Sequence, residues 1–249
     1  AAIFVDGRYT VQVKDQVDDN VFNILNIPKD SLLDWIKKNC KINTNIGYDP
    51  RLFRVNWKKK FDKKLQPNYR LSSQKENPID LFWDQRPIPN QSEALLLNEK
   101  YSGLSSEEKR TKLGKIIQQN GCHAAFITQL DSIAWLLNIR GNDVPCNPVL
   151  LCHGLLYSNG AFDLFINKNK IPTNFSKHVG PNVAIFDPSD IKKRIEKNKG
   201  KCIQLDENRS NIWSYEIISS SGAIVINKDD PCILPKACKN ETEINGMKN

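Results

Sequence analysis

Methionine is all but missing from this chain: Met247 is the only one in 249 residues, and position 1 is Ala. No apolar run approaches the ~20 residues that a membrane-spanning helix requires, and no secretory leader is visible. Gly-rich phosphate cradles are absent. So are G-x-S-x-G, H-E-x-x-H, the Walker loop and G-x-G-x-x-G, which removes the motif evidence for a serine-hydrolase elbow, a zincin, a P-loop enzyme or a dinucleotide-binding turn. There are three histidines, and the carboxylates do not cluster with them. The sequence also shows no internal repeat and no low-complexity tract.

What is present is an ordinary globular composition, 39% hydrophobic and 26% charged, long enough for two compact domains. The net charge is +8, yet Lys outnumbers Arg by 27 to 9 and Asn is as abundant as Lys. Nucleic-acid binders gather Arg and Lys on one face with interleaved aromatics. Here the lysines fall in scattered runs, such as Lys58-Lys59-Lys60 and Lys192-Lys193-Arg194, so solvated surface charge is the expectation and neither nucleic acid nor membrane is a predicted partner.

Seven cysteines (Cys40, Cys122, Cys146, Cys152, Cys202, Cys232 and Cys238) make an odd set without framework spacing, which predicts reduced thiols. Cys122-His123 and Cys152-His153 invite a zinc reading. Both pairs lie at strand-like runs, where neighbouring side chains point to opposite faces, so neither is expected to bind metal. His178 falls in a polar loop with no expected partner. Asp229-Asp230-Pro231 reads as a solvated turn.

Strand and helix signals alternate along the chain. A strand through Phe4 and Val5 turns at Asp6-Gly7 and is expected to resume over Tyr9–Val13. Asp30-Ser31 caps a helix through Ile36. Residues 42 to 48 form a short strand, 52 to 65 a basic amphipathic helix, and 66 to 77 a polar stretch. Arg86-Pro87-Ile88-Pro89 marks a linker. Ser105-x-x-Glu108 is a capping box, and its helix runs on to Gly121. A buried strand from Ala124 precedes a helix capped by Asp131 that carries Trp135 as a core residue. Ser158-Asn159-Gly160 joins two strands as a hairpin. Strand, helix and strand follow over 183 to 205, then a helix over 210 to 218 and a strand over 222 to 226. The predicted class is α/β with a mixed sheet.

Two local features stand out. Arg8 directly follows Gly7 at a chain reversal, where backbone and ligand can approach closely and a guanidinium fork can meet a carbonyl or carboxylate. The plainer alternative pairs Arg8 with Asp6 on the surface. Arg140-Gly141 follows the Trp135 helix, and the plain reading there is a C-cap, with Gly141 left-handed and Arg140 serving the helix dipole.

Taken together, several segments resemble the eukaryotic three-domain aminopeptidase P (X-prolyl aminopeptidase) family. They are Asp6-Gly7-Arg8-Tyr9, Gly47-Tyr48-Asp49-Pro50, Trp83-Asp84-Gln85-Arg86-Pro87, the run from Leu130 to Val144, Asn147-Pro148-Val149, and Lys236-Ala237 followed by Lys239-Asn240, Glu243 and Gly246-Met247. Their order fits from end to end, and the Lys and Asn bias suits an apicomplexan source. The resemblance implies creatinase-like domains at 1–90 and 91–235, and at 236–249 the first helix of a "pita-bread" catalytic domain. The chain thus reads as a slice of a longer, homodimeric, cytoplasmic enzyme, with a digestive compartment as the alternative location.

Such an enzyme uses two manganese ions to remove the residue preceding proline from peptides whose second residue is proline. On this reading no metal ligand and no catalytic residue lies in this chain. Arg8 matches the family's substrate-binding Arg, and Arg140 lies in a loop that could shape access. The rival from another class is a metal-free, histone-chaperone-like relative that binds partners instead. A direct nucleic-acid binder is the weakest reading.

Overall fold

The computed structural model describes residues 1–90 and 92–248 and resolves two compact units. One consists of Ala1–Asp49 and Trp57–Asn77, the other of Pro50–Asn56 and the chain from Pro78 onward.

The smaller unit holds two parallel strand pairs. β1 (Ala2–Val5) runs beside β2 (Asn23–Asn26), and β3 (Asn45–Tyr48) beside β4 (Arg70–Ser73). The expected strand over Tyr9–Val13 does not form. The Asp6 carboxylate instead accepts from the Arg8 amide and starts a 3-10 turn over Gly7–Tyr9, which leads into α1 (Gln12–Gln16). Satisfying a turn amide outweighs β propensity here, because Tyr9 and Val11 stay exposed and only Val13 is buried. Ser31 caps α2 (Leu32–Asn39) as its residue type predicts. Ile36 of α2 packs with Leu65 at the end of α3 (Val55–Leu65) and with Tyr69 to make this unit's small core. The strand β4 lies inside the polar stretch of 66 to 77, and its partly buried Leu71 packs against that core.

The larger unit is a three-layer sandwich. After α4 (Pro78–Phe82), β5 (Leu95–Leu96) and α5 (Glu99–Ser102) comes α6 (Ser106–Gln119), whose capping box forms in full between Ser105 and Glu108. Next are β6 (Ala124–Ile127), α7 (Leu130–Leu137) and β7 (Ile139–Arg140), which pairs with β5. The hairpin of β8 (His153–Tyr157) and β9 (Phe162–Phe165) follows, then α8 (Phe175–Val179) and β10 (Val183–Phe186). The unit continues with α9 (Ile191–Glu196), β11 (Cys202–Leu205), α10 (Ile212–Ser220), β12 (Ile224–Asn227), α11 (Ile233–Ala237) and α12 (Glu241–Lys248).

Six strands make the mixed sheet, in the order β10-β9-β8-β6-β11-β12. The central hairpin is antiparallel and both flanks are parallel. Its β6 is buried at every residue because helices cover both faces. Ala125, Ile127 and Leu156 face a core that includes Leu113, Ile117, Ile133 and Leu137. Ala124, Phe126 and Leu155 face the opposite core, with Ile191, Ile195 and Ile218.

Four local expectations are corrected. α7 is N-capped at Gln129, one residue before its first turn, so Asp131 sits inside that turn; the helix ends at Asn138, which takes the left-handed conformation at φ 54°. Gly141 has no positive φ. It is small for another reason: a methyl there would stand 2.3 Å from Leu150 Cδ2. The segment from Lys236 is two helices rather than one, because α11 closes at Cys238 and Asn240 starts α12 by accepting from Glu243 N. Asp229-Asp230 is not a solvated turn: Asp230 is buried and caps Cys232 N.

Candidate functional site

Arg8 stands at the surface of the smaller unit with its side chain 80% exposed. Its Nη2 lies 2.6 Å from Asp6 Oδ2, and Nε reaches the same carboxylate. The hydrogen bonds from Arg8 hold the Asp6 carboxyl below its ordinary pKa. A methyl added at Gly7 would meet open space. Packing within this chain therefore gives Gly7 no reason to lack a side chain.

Arg140 borders a cavity of about 580 Å³ in the larger unit, between α7, the loop that follows β7, and helices α5, α11 and α12. Its Nη1 donates to Ala134 O at 3.2 Å and Ile139 O at 2.8 Å, so it does serve a carbonyl of the helix it follows. The loop after it is held by Asp143, which accepts from Leu151 N and forms a buried ion pair of 2.6 Å with Lys170. Trp135 also borders this cavity; it is half-buried and packs against the core on one side.

The strongest group at the cavity is one that the sequence concealed. Lys109, 2% exposed, donates to Trp135 O at 3.0 Å and Asn138 Oδ1 at 2.7 Å, and its ammonium lies 4.5 Å from the Trp135 ring centre. Burial lowers its pKa to about 8. Burial likewise lowers that of Arg140, with Glu243 pulling it back up. Within a capping-box helix Lys109 and Arg110 look like solvated charge. Their spacing from Leu113, Gly114 and Ile117 was the available signal, since i, i+4 and i+8 share a helix face. Arg110 is spent on structure, donating to Gly160 O, Val179 O and Pro181 O.

The Cys-His pairs split across the sheet. Cys152 packs in one core, and burial pushes its thiol up to about 12. His153 faces the other way, between Phe126 and Trp213, where burial lowers its pKa to about 4. Cys122 is buried, whereas His123 lies against Tyr157 with Lys201 Nζ 3.4 Å away. His178 is not without a partner: its Nε2 donates to Asn138 O at 2.9 Å. Among the described residues no three His, Cys, Asp or Glu side chains gather as a metal site requires.

The profile of the creatinase/prolidase N-terminal domain matches residues 85–243. The chain belongs to that family. It is 28% identical over 260 residues to Xaa-Pro aminopeptidase 1 of Dictyostelium discoideum, covering 99% of this chain and 41% of that protein. The probable Xaa-Pro aminopeptidase P of Aspergillus clavatus is 28% identical over 263 residues, 100% of this chain and 39% of that protein. The chain thus spans about two fifths of these relatives' length.

Among solved structures, the X-prolyl aminopeptidase of Caenorhabditis elegans matches with a TM-score of 0.88 at 27% identity, over 100% of this chain and 42% of that one. That protein is described as a cytosolic enzyme with a di-nuclear active site. In the present chain, no helix among the described residues is long and apolar enough to cross a membrane.

Proposed function

We propose that this chain is the non-catalytic N-terminal region of a cytoplasmic, manganese-dependent Xaa-Pro aminopeptidase, which removes the first residue from peptides with proline in second place. The observation that carries this reading is the match to the C. elegans enzyme along the whole chain at a TM-score of 0.88. Residues 1–90 and 91–235 would be its two creatinase-like domains, with the catalytic domain starting at 236. The di-nuclear centre would lie in the part of the relatives' length that this chain does not span, and the parent would be a homodimer.

On this reading Arg8 contacts the peptide. Its support is an exposed guanidinium, oriented by Asp6 and preceded by a glycine with open space around it. Such a fork can exchange part of its bond to Asp6 for a substrate carbonyl or carboxylate. Arg140 would help shape access from the end of β7.

The test is hydrolysis of an Xaa-Pro-Pro peptide with added manganese, comparing this chain with a version extended to the relatives' length. The extended protein is expected to release the first amino acid, and this chain alone to release none. A folded extended protein that neither cleaves the peptide nor retains manganese would overturn the reading and favour a metal-free binding protein.

A further inference from the structure

A second cavity, of about 440 Å³, lies within the larger unit beside the core that contains Ile191 and Ile195. Pro188 and Ile191, where the chain turns into α9, and Trp213 and Ile217 of α10 give it apolar walls. His153, the first residue of β8, also borders it. Phe126 stacks on this imidazole, with ring centres 5.8 Å apart, and the Trp213 ring lies 5.6 Å from it. Neither ring nitrogen makes a hydrogen bond among the described residues, yet neither is sealed from solvent. The ring is otherwise buried, so its nitrogens open into the cavity it borders. Burial also keeps it neutral, and a neutral imidazole offers one N–H donor and one acceptor.

The remaining polar wall residues are of two kinds. Asn211 accepts from Ser214 N and donates to Arg51 O, and Ser189 Oγ donates to Asp187, so both are engaged within the chain. The other two are cations. Arg51 lies over the Trp213 ring, its Cζ 5.5 Å from the ring centre. Lys192 is exposed and has no acid at ion-pair distance among the described residues. No acid belongs to the wall. The acids next to wall residues in sequence, Asp187, Asp190 and Glu216, lie outside it, and Asp187 is engaged by Ser189 N and Oγ.

Apolar and aromatic walls with a few convergent polar groups are what small-molecule sites present. Here the walls suit a flat ring whose edge meets His153. The cationic rim suits an anionic group on that ring, because a guanidinium fork matches carboxylate and phosphate oxygens alike. A neutral ring leaves the rim unmatched, and an inorganic anion leaves the walls unmatched.

We propose that this cavity binds a small aromatic anion, its ring between the α9 and α10 walls with its edge on His153, and its charge on Arg51 and Lys192. The site is separate from Arg8 and does not depend on peptidase activity. The anionic group comes from a nucleotide phosphate or from an aryl carboxylate, and the same rim receives both.

The test is calorimetric titration of the full-length protein with adenosine monophosphate and with indole-3-acetate, each beside its uncharged counterpart, adenosine or tryptophol. Saturable binding of at least one anion is expected. Its uncharged counterpart should bind at least about tenfold more weakly, the loss of one charge-assisted hydrogen bond. Binding of the nucleotide alone assigns the site to nucleotides, and binding of indole-3-acetate alone to aryl acids. Mutual displacement assigns it to the chemistry they share. His153→Phe keeps an aromatic ring between Phe126 and Trp213 and removes both nitrogens, so the fold should hold while affinity falls about tenfold. Lys192→Met, at an exposed position, should weaken the anions and leave the uncharged compounds unchanged. Absence of binding by both anions would overturn the proposal, as would equal binding of the uncharged counterparts or of inorganic phosphate. Anion affinity unchanged in a folded His153→Phe protein would place the ligand elsewhere and overturn it too, and affinity unchanged in Lys192→Met would remove the rim.

Discussion

Lys109 Nζ donates to Asn138 Oδ1 at 2.7 Å, so the residue that ends α7 is also the one that solvates a buried ammonium. Asn138 completes the arrangement by donating to Leu104 O at 2.8 Å and accepting from His178 at its own carbonyl. Asn138→Leu removes both side-chain bonds and places a branched residue at φ 54°. It is expected to cost about 3 kcal/mol or more, measured by urea unfolding. Asn138→Gly keeps the backbone conformation and should cost less. Equal losses in the two variants would mean that backbone strain adds little and that the lost side-chain bonds to Lys109 and Leu104 carry the cost.

Gly114 and Gly7 should respond oppositely to alanine. A methyl at Gly114 would stand 2.7 Å from Ser158 O and 2.9 Å from Gly160 N, both backbone atoms of the β8–β9 hairpin. Because backbone cannot rotate away, Gly114→Ala is expected to destabilise by about 2 to 3 kcal/mol. Gly7→Ala should leave the melting temperature unchanged, since nothing lies within 4 Å. If Gly7 serves substrate approach, as the proposed function requires, Gly7→Ala will still reduce peptide hydrolysis in the extended protein.

Arg8→Ala separates substrate binding from structure. Arg8 pairs with Asp6 in the open, where ion pairs add little to stability, so thermal melting should not move. In the extended protein KM for an Xaa-Pro-Pro peptide should rise while bound manganese, read by atomic emission, stays constant. Parallel loss of manganese would remove the direct substrate role.

Acid should weaken the fold through His153. Burial holds its pKa near about 4, below the value of 6.5 expected when it is unfolded and solvated. Between those values the unfolded chain binds the extra proton, so stability falls as pH drops from 6.5 toward 4. Full titration is worth on the order of 3 kcal/mol. Urea unfolding at pH 7, 5.5 and 4.5 reads it, and His153→Phe should flatten the dependence. Lys109 acts in the same direction at the other end. With its pKa lowered from 10.5 to about 8, stability should rise between pH 8 and 10.5 as the unfolded lysine alone stays protonated.

Local chemistry was legible wherever neighbours in sequence decide it. Ser105 and Glu108 form their box, Ser31 caps α2, and Gly160 turns the hairpin at φ 84°. The mixed sheet followed from the alternation of strand and helix signals. Where a short polar contact competes with β propensity the reading failed, as at Asp6, whose carboxylate captures the Arg8 amide and bends the next segment into helix.

The sequence by itself determined the α/β class, the caps at Ser31 and Ser105 and the family-like segments that carry Arg8 and Arg140, because each depends on residues a few positions apart. Only the tertiary structure decided which charges are buried. Lys109 and Arg110 look alike in sequence beside Lys112 and Lys115, yet packing takes the first two from water. Groups 26 to 71 residues distant supply their oxygens. Burial of charge is settled by what the rest of the chain brings to it, and no local pattern records that.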